Sequence, residues 1–275
     1  PMHAAQHVRT APEDRIGFGQ RLAYGTGAFV NNLLGAASGG MMIVLNLGFG
    51  MNPALVGLLG AIPRFTDALT DPIMGFISDG TRSRWGRRRP WIFLGALLTA
   101  VLFALLWQLP RGQSEMFYFW YFMIGSILFY IGYTMFATPW VALGYELTPD
   151  YHERTRLMGT QNFIGQTAFM VSPWFLWIMT YKGFFPDQIA GASGLAIILA
   201  VVVAGLGILP AIFLRERMAA VAAAESAERR ETAAKGGAFR RNVVEFLRGF
   251  RITMSSGPFL KLSAATFLLF NGFML

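Results

Sequence analysis

"RFTDALTDPIMGFISDGTRSRWGRRRPW" runs from Arg64 to Trp91. Its first half is apolar apart from Arg64, Asp67 and Asp71, and its second half puts five arginines into positions 82–89. A charge inside a lipid-spanning helix costs at least about 2.5–3.5 kcal/mol, so carboxylates retained there must pair, hold an ion or face water. Arg64, Asp67 and Asp71 stand at i, i+3 and i+7, which puts all three within about 60° on one helix face. At a rise of about 1.5 Å per residue, Asp67 lies roughly 18 Å from Asp79, near mid-membrane, with Asp71 one turn closer to the basic end. Two carboxylates and one arginine leave one negative charge over. A Na⁺ ion would balance it, because hard cations take oxygen ligands, and Thr70 and Thr134 offer further hydroxyls. A proton is the alternative, since paired carboxylates push one pKa up. A structural ion-pair network between helices is a third reading of the same residues.

The composition supports a membrane setting. Of 275 residues 54% are hydrophobic and only 14% charged, against about 25% charged in soluble domains, and mean hydropathy is +0.46. Six full spans are expected near 19–48, 53–78, 90–109, 116–147, 158–181 and 189–214, with a seventh starting at 258. Each full one has the roughly 20 residues a bilayer requires, and each must be helical, because lipid offers no partner for open backbone groups. The net charge of +8 does not indicate nucleic acid, because the arginines sit between apolar runs rather than on one soluble face. Nineteen Lys and Arg fall in one alternate set of loops and two in the other, which predicts a cytoplasmic N-terminus. The expected organisation is a cytoplasmic tail (1–18), a six-helix transmembrane bundle (19–214), a cytoplasmic central loop (215–257) and the start of a seventh span (258–275). Within that loop, Phe239, Val243, Phe246, Leu247 and Phe250 mark one face of an amphipathic helix, while the stretch before it reads as a solvated linker. No cysteine is present, the polar first fifteen residues do not form a signal peptide, and the chain is expected to be a fragment of a longer protein.

The loop motifs make the chain recognisable. Gly75-x-x-x-Asp79 followed by Arg84-Trp85-Gly86-Arg87-Arg88 resembles the motif between the second and third helices of the major facilitator superfamily. Together with "YGTGAF" (Tyr24–Phe29), "DALTDP" (Asp67–Pro72) and "ELTPDYHERTR" (Glu146–Arg156), the chain from about residue 19 onward resembles the glycoside–pentoside–hexuronide:cation symporter family. The resemblance implies an all-α membrane protein with the major facilitator fold. It has twelve transmembrane helices in two bundles, of which this chain would hold the N-terminal one, the central loop and the start of helix seven. It implies cation binding by Asp67 and Asp71, with Thr70 standing where a galactoside carrier of that family has Asn, and Thr134 matching a threonine near the same ion. At that carrier's charged sugar positions this chain has Asn31, Asn32, Ala137 and Asn162, and Val141 replaces a stacking Trp.

Amides still suit a polyol, because each offers donors and acceptors together. Asn31, Asn32, Gln161, Asn162 and Gln166 are candidates, with Arg64, and with Tyr24, Tyr133 and Trp140 as stacking surfaces. Interhelical hydrogen bonds, worth about 0.6 kcal/mol each, are the competing reading for the amides. Asp79 ends a helix, where the dipole disfavours an anion. It is expected to pair with Arg84, Arg87 or Arg88 as a cytoplasmic latch or a topology anchor, and Glu153, Arg154 and Arg156 read the same way. No Ser-His-Asp set, P-loop or metal-spaced histidine occurs, so neither an enzyme nor a cofactor beyond the coupling ion is expected. The expected function is Na⁺- or H⁺-coupled symport of a sugar or glycoside by alternating access, by a lipid-surrounded, monomeric inner-membrane protein that binds no nucleic acid. A non-sugar solute such as a lysolipid, and a non-transporting scaffold or sensor, are the alternatives.

Overall fold

The computed structural model describes residues 14–181, 183–214, 216 and 255–274, with side chains except at 64, 65, 68 and 267–274. The expected amphipathic helix over 239–251 and the tail before residue 14 therefore lie outside the described residues. Every regular element among the described residues is an α-helix: α1 (Phe18–Met41), α2 (Ile43–Leu47), α3 (Pro53–Gly80), α4 (Arg89–Leu106), α5 (Glu115–Glu146), α6 (Tyr151–Val171), α7 (Trp174–Thr180), α8 (Gln188–Gly207), α9 (Leu209–Phe213) and α10 (Gly257–Met274). The chain forms two compact units, residues 1–219 and 220–275. In the described part of the second, α10 is exposed from Gly257 to Thr266.

Three expected spans prove to be pairs of helices in line. The first breaks at Met42, the fifth at Ser172–Pro173 and the sixth at Ile208. Pro173 supplies a physical cause for the second break, since proline has no N–H for the helical ladder. The fifth helix also starts earlier than expected, at Tyr151, because Asp150 caps it by accepting the Glu153 N–H at 2.7 Å. Similarly, Asn52 caps α3 at the Ala54 N–H (2.8 Å) with Pro53 in the first position, and Asp187 caps α8 at the Ala190 N–H (2.8 Å). Such caps satisfy donors that a helix start leaves open.

Among the described residues, four stretches are long and apolar enough to cross a membrane: Phe18–Leu47, Arg89–Leu106, Glu115–Glu146 and Gln188–Phe213. α3 and α6 are long but more polar. They are the two long helices of the unit that lean chiefly on one neighbour each, α3 on α5 and α6 on α1. At the centre α4 packs between α5 and α8. A Cβ added at Gly95 would lie 2.6–2.8 Å from backbone atoms of Met135 on α5, so the two helices approach closely there, as small residues permit in membranes. Leu94, Val101, Leu105, Trp120 and Ile124 are exposed, which suits lipid as the surrounding solvent.

Replacing Gly95 by Val forces α4 and α5 apart, at a cost of about 1–3 kcal/mol for overpacking. The melting temperature in detergent is expected to fall, whereas Val101→Ala on the exposed face of the same helix leaves it nearly unchanged.

Candidate functional site

The carboxylates of α3 meet hydroxyls of α5. Thr134 Oγ1 lies 3.1 Å from Thr70 Oγ1 and 3.5 Å from Asp67 Oδ1, and one turn on Thr138 Oγ1 donates to Asp71 Oδ1 at 3.0 Å. Five side chains from two helices thus bring oxygen together, two of them carboxylates. Thr134 is buried at 1% exposure, Asp67 is half-buried and Asp71 exposed. The Thr134–Asp67 separation exceeds the 2.5–3.0 Å of a well-made O–H···O bond, so Thr134 does not hold that carboxylate tightly. Thr70 also bonds back to the Thr66 carbonyl at 3.0 Å. An all-oxygen set suits a hard cation. No group of three His, Cys, Asp or Glu side chains that would mark a transition-metal centre occurs among the described residues. The Arg64 side chain lies outside the described residues. Thr138 escaped the sequence reading, although its spacing from Thr134 repeats that of Asp67 and Asp71.

The candidate solute residues divide. Tyr133, adjacent to Thr134 on α5, donates to Asn31 Oδ1 on α1 at 2.5 Å, and Asn31 Nδ2 donates to Asn32 Oδ1 at 3.3 Å. These three are half-buried. On α6, Asn162 and Gln166 are exposed and joined at 3.4 Å. Tyr24 and Trp140 depart from expectation. Their rings stack at 5.1 Å, the Trp140 Nε1–H donates to the Tyr24 carbonyl at 3.2 Å, and they are 1% and 2% exposed. Gly27 and Gly144 leave the room these rings occupy. Both residues pack α1 against α5, and neither ring has a face open to a solute in this arrangement.

At the arginine-rich end the acids find partners. Arg88 bridges Asp79 (2.7 Å) and Glu146 (2.8 Å), and Arg87 reaches the same Glu146 oxygen at 2.7 Å. Of the three arginines expected for Asp79, Arg88 is the partner; Arg84 is exposed and makes no ion pair among the described residues. A Cβ added at Gly75 would lie 3.9 Å from the Thr138 methyl, an ordinary van der Waals distance. Glu153 is fully buried and accepts from Arg21 (2.7 Å), Arg156 (2.8 Å) and the Ile16 N–H (3.3 Å), which ties α6 to the start of α1. Arg154 donates to the Thr148 carbonyl at 3.1 Å. Glu146 and Arg21 were not singled out from sequence, although Glu146 begins a motif that was. Their signal is a charged side chain at a span end facing a loop of opposite charge.

The MFS/sugar transport protein family matches residues 23–274. The chain belongs to that family. It is therefore an all-α, multi-pass membrane protein of the major facilitator type, and its relatives include symporters. An uncharacterized symporter of Synechocystis, sll1374, is 37% identical over 52% of this chain and 28% of its own length. The putative glycoside/cation symporter YagG of Escherichia coli is 31% identical over 42% of this chain and 25% of its own. The sodium-dependent lysophosphatidylcholine symporter 1 of Gallus gallus is 24% identical over 95% of this chain and 52% of its own. The chain thus spans about half or less of these relatives.

Burial alone would raise the Glu153 carboxyl, but the Ile16 N–H, Arg156 and Arg21 outweigh it and hold it below its ordinary value. Its contribution is complete above the unfolded value near 4.3 and is lost as pH falls through the lower folded value. Glu153→Gln strands Arg21 and is expected to cost about 3–5 kcal/mol at pH 7. In melting curves taken from pH 7 to pH 3, the variant starts lower and loses less on acidification than the wild type.

Proposed function

We propose that this chain forms the N-terminal bundle of a cation-coupled symporter of a sugar or glycoside that works by alternating access. The observation carrying this reading is the oxygen cluster of Asp67, Thr70, Asp71, Thr134 and Thr138 at the α3–α5 seam. Carboxylates one turn apart in a span are costly unless they pair, face water or are joined by an ion or proton, and hydroxyls beside them supply neutral ligands for an ion. Na⁺ is favoured over H⁺ by the hydroxyl content of the cluster, and a sodium-dependent relative supports the choice. Tyr133 and Asn31 place the hydrogen-bonding residues of α1 next to the ion ligands on α5. A solute held there would share a helix with the ion, so each would favour the other's binding. Asn32, Asn162 and Gln166 would add amides that match hydroxyls in both donor and acceptor. The family's sugar-transport description supports this solute class. The arginine end would face the cytoplasm of an inner membrane, by the Lys and Arg bias, with the Arg87–Arg88–Glu146–Asp79 cluster opening and closing as the bundles rock.

A lysolipid is the second reading. It is favoured by the alignment to a lysophosphatidylcholine symporter along 95% of the chain and by uncharged Ala137 and Val141 on α5.

In full-length protein reconstituted in vesicles, Asp67→Asn is expected to abolish the Na⁺-dependent part of uptake, and uptake left unchanged would sink the reading. Na⁺ at about 100 times its Kd should stabilise the wild type by roughly 2.7 kcal/mol, a shift that Asp71→Asn removes. Competition by glycosides against lysophosphatidylcholine separates the two solute classes.

A further inference from the structure

The stretch after α9 reads in sequence as a solvated linker, yet its Glu216 is engaged. Glu216 Oε2 accepts the Arg87 N–H at 2.8 Å, and Oε1 accepts those of Arg88 at 2.7 Å and Arg89 at 3.2 Å. These amides open α4 and have no partner within the helix, and the positive end of its dipole favours an anion. Arg89 returns the contact. Its Nε donates to the Ala211 carbonyl at 2.5 Å and its terminal nitrogen to that of Ile212 at 3.0 Å, the last turn of α9. Gly86 is required twice over. Its φ is +110°, and a Cβ there would lie 2.7–3.0 Å from the Glu216 carboxylate. Arg87 and Arg88 are also the two residues whose guanidinium groups converge on Glu146. One acid therefore holds their backbone while another holds their side chains.

We infer that Glu216 is a positioning residue for the ion-pair cluster. It fixes the backbone of residues 87–89 so that both guanidinium groups reach Glu146, and it pins the start of the segment leaving α9 to the arginine loop. A displacement of Glu216 is delivered to Arg87 and Arg88 through its carboxylate. In the transport cycle proposed above, on which this functional meaning rests, Glu216 and the ion-pair latch would move together.

Amide hydrogen exchange on full-length protein in detergent, without Na⁺ or solute, tests the assignment. Glu216→Ala is expected to speed exchange at residues 87–89 by about tenfold or more. It also speeds exchange at the end of α5, residues 144–147, by several-fold, and leaves α8 unchanged as the control for global opening. Gly86→Ala should reproduce the pattern by a different route. If Glu216→Ala does not fold, Gly86→Ala and Glu216→Gln carry the measurement. A rise confined to 87–89 would show a local cap with no hold on the latch and would overturn the inference, as would no rise at all. Neither outcome depends on the cation reading, which stands or falls with Asp67→Asn.

Discussion

Lipid offers a carboxylate neither water nor a hydrogen bond, and α3 carries two carboxylates one turn apart. That constraint orders much of the bundle. Each carboxylate has to find a partner, an ion or water, and α5 offers Thr134 and Thr138 at the same one-turn spacing. α3 packs chiefly on the helix that supplies those hydroxyls. α6, which carries the exposed Asn162 and Gln166, packs chiefly on α1. Groups suited to ions and hydroxyls stand on both kinds of helix, Asp67 and Asp71 on α3 and Asn162 and Gln166 on α6 beside Thr134 and Thr138 on α5 and Asn31 on α1.

At the arginine-rich end the same logic works with charge pairs. The short segment from Glu146 to Glu153 places an acid at each end. Glu146 holds the loop that opens α4, and Glu153 holds the start of α1. α5 and α6 touch little along their lengths, so this turn straps together two parts of the bundle that the helices themselves leave loosely joined. Burial gives the strap its weight. Glu153 is fully buried with three donors, whereas Arg111–Asp187 beyond the other end is exposed on both sides and, as a surface pair, is worth about 0–1 kcal/mol.

Much of this was legible beforehand because membranes restrict what a chain can do. Span length, the Lys and Arg bias and the spacing of Asp67 and Asp71 all follow from local rules, and the helices lie where those rules put them to within a few residues, apart from α6, which starts at Tyr151 rather than 158. The break at Met42 was not legible, since no proline lies near it, whereas those at Ser172 and Ile208 were missed although Pro173 and Pro210 mark them. Tyr24 and Trp140 looked like stacking surfaces because residue type does not say which way a ring turns. Only the close approach of α1 and α5, allowed by Gly27 and Gly144, shows that the two rings stack on each other.

Residue types and their spacing were enough to establish an all-α membrane bundle, a carboxylate pair on one face of α3 and a basic loop after it, because these depend on the cost of charge in lipid and on helical period. Which partners those charges take depended on contacts between residues far apart in the chain. Thr138 on Asp71, Arg88 rather than Arg84 on Asp79, and Glu216 on the α4 amides emerge only once the helices are packed. An ion pair or a cap is set by ångström-scale distances across a helix seam, and no local pattern in the chain encodes them.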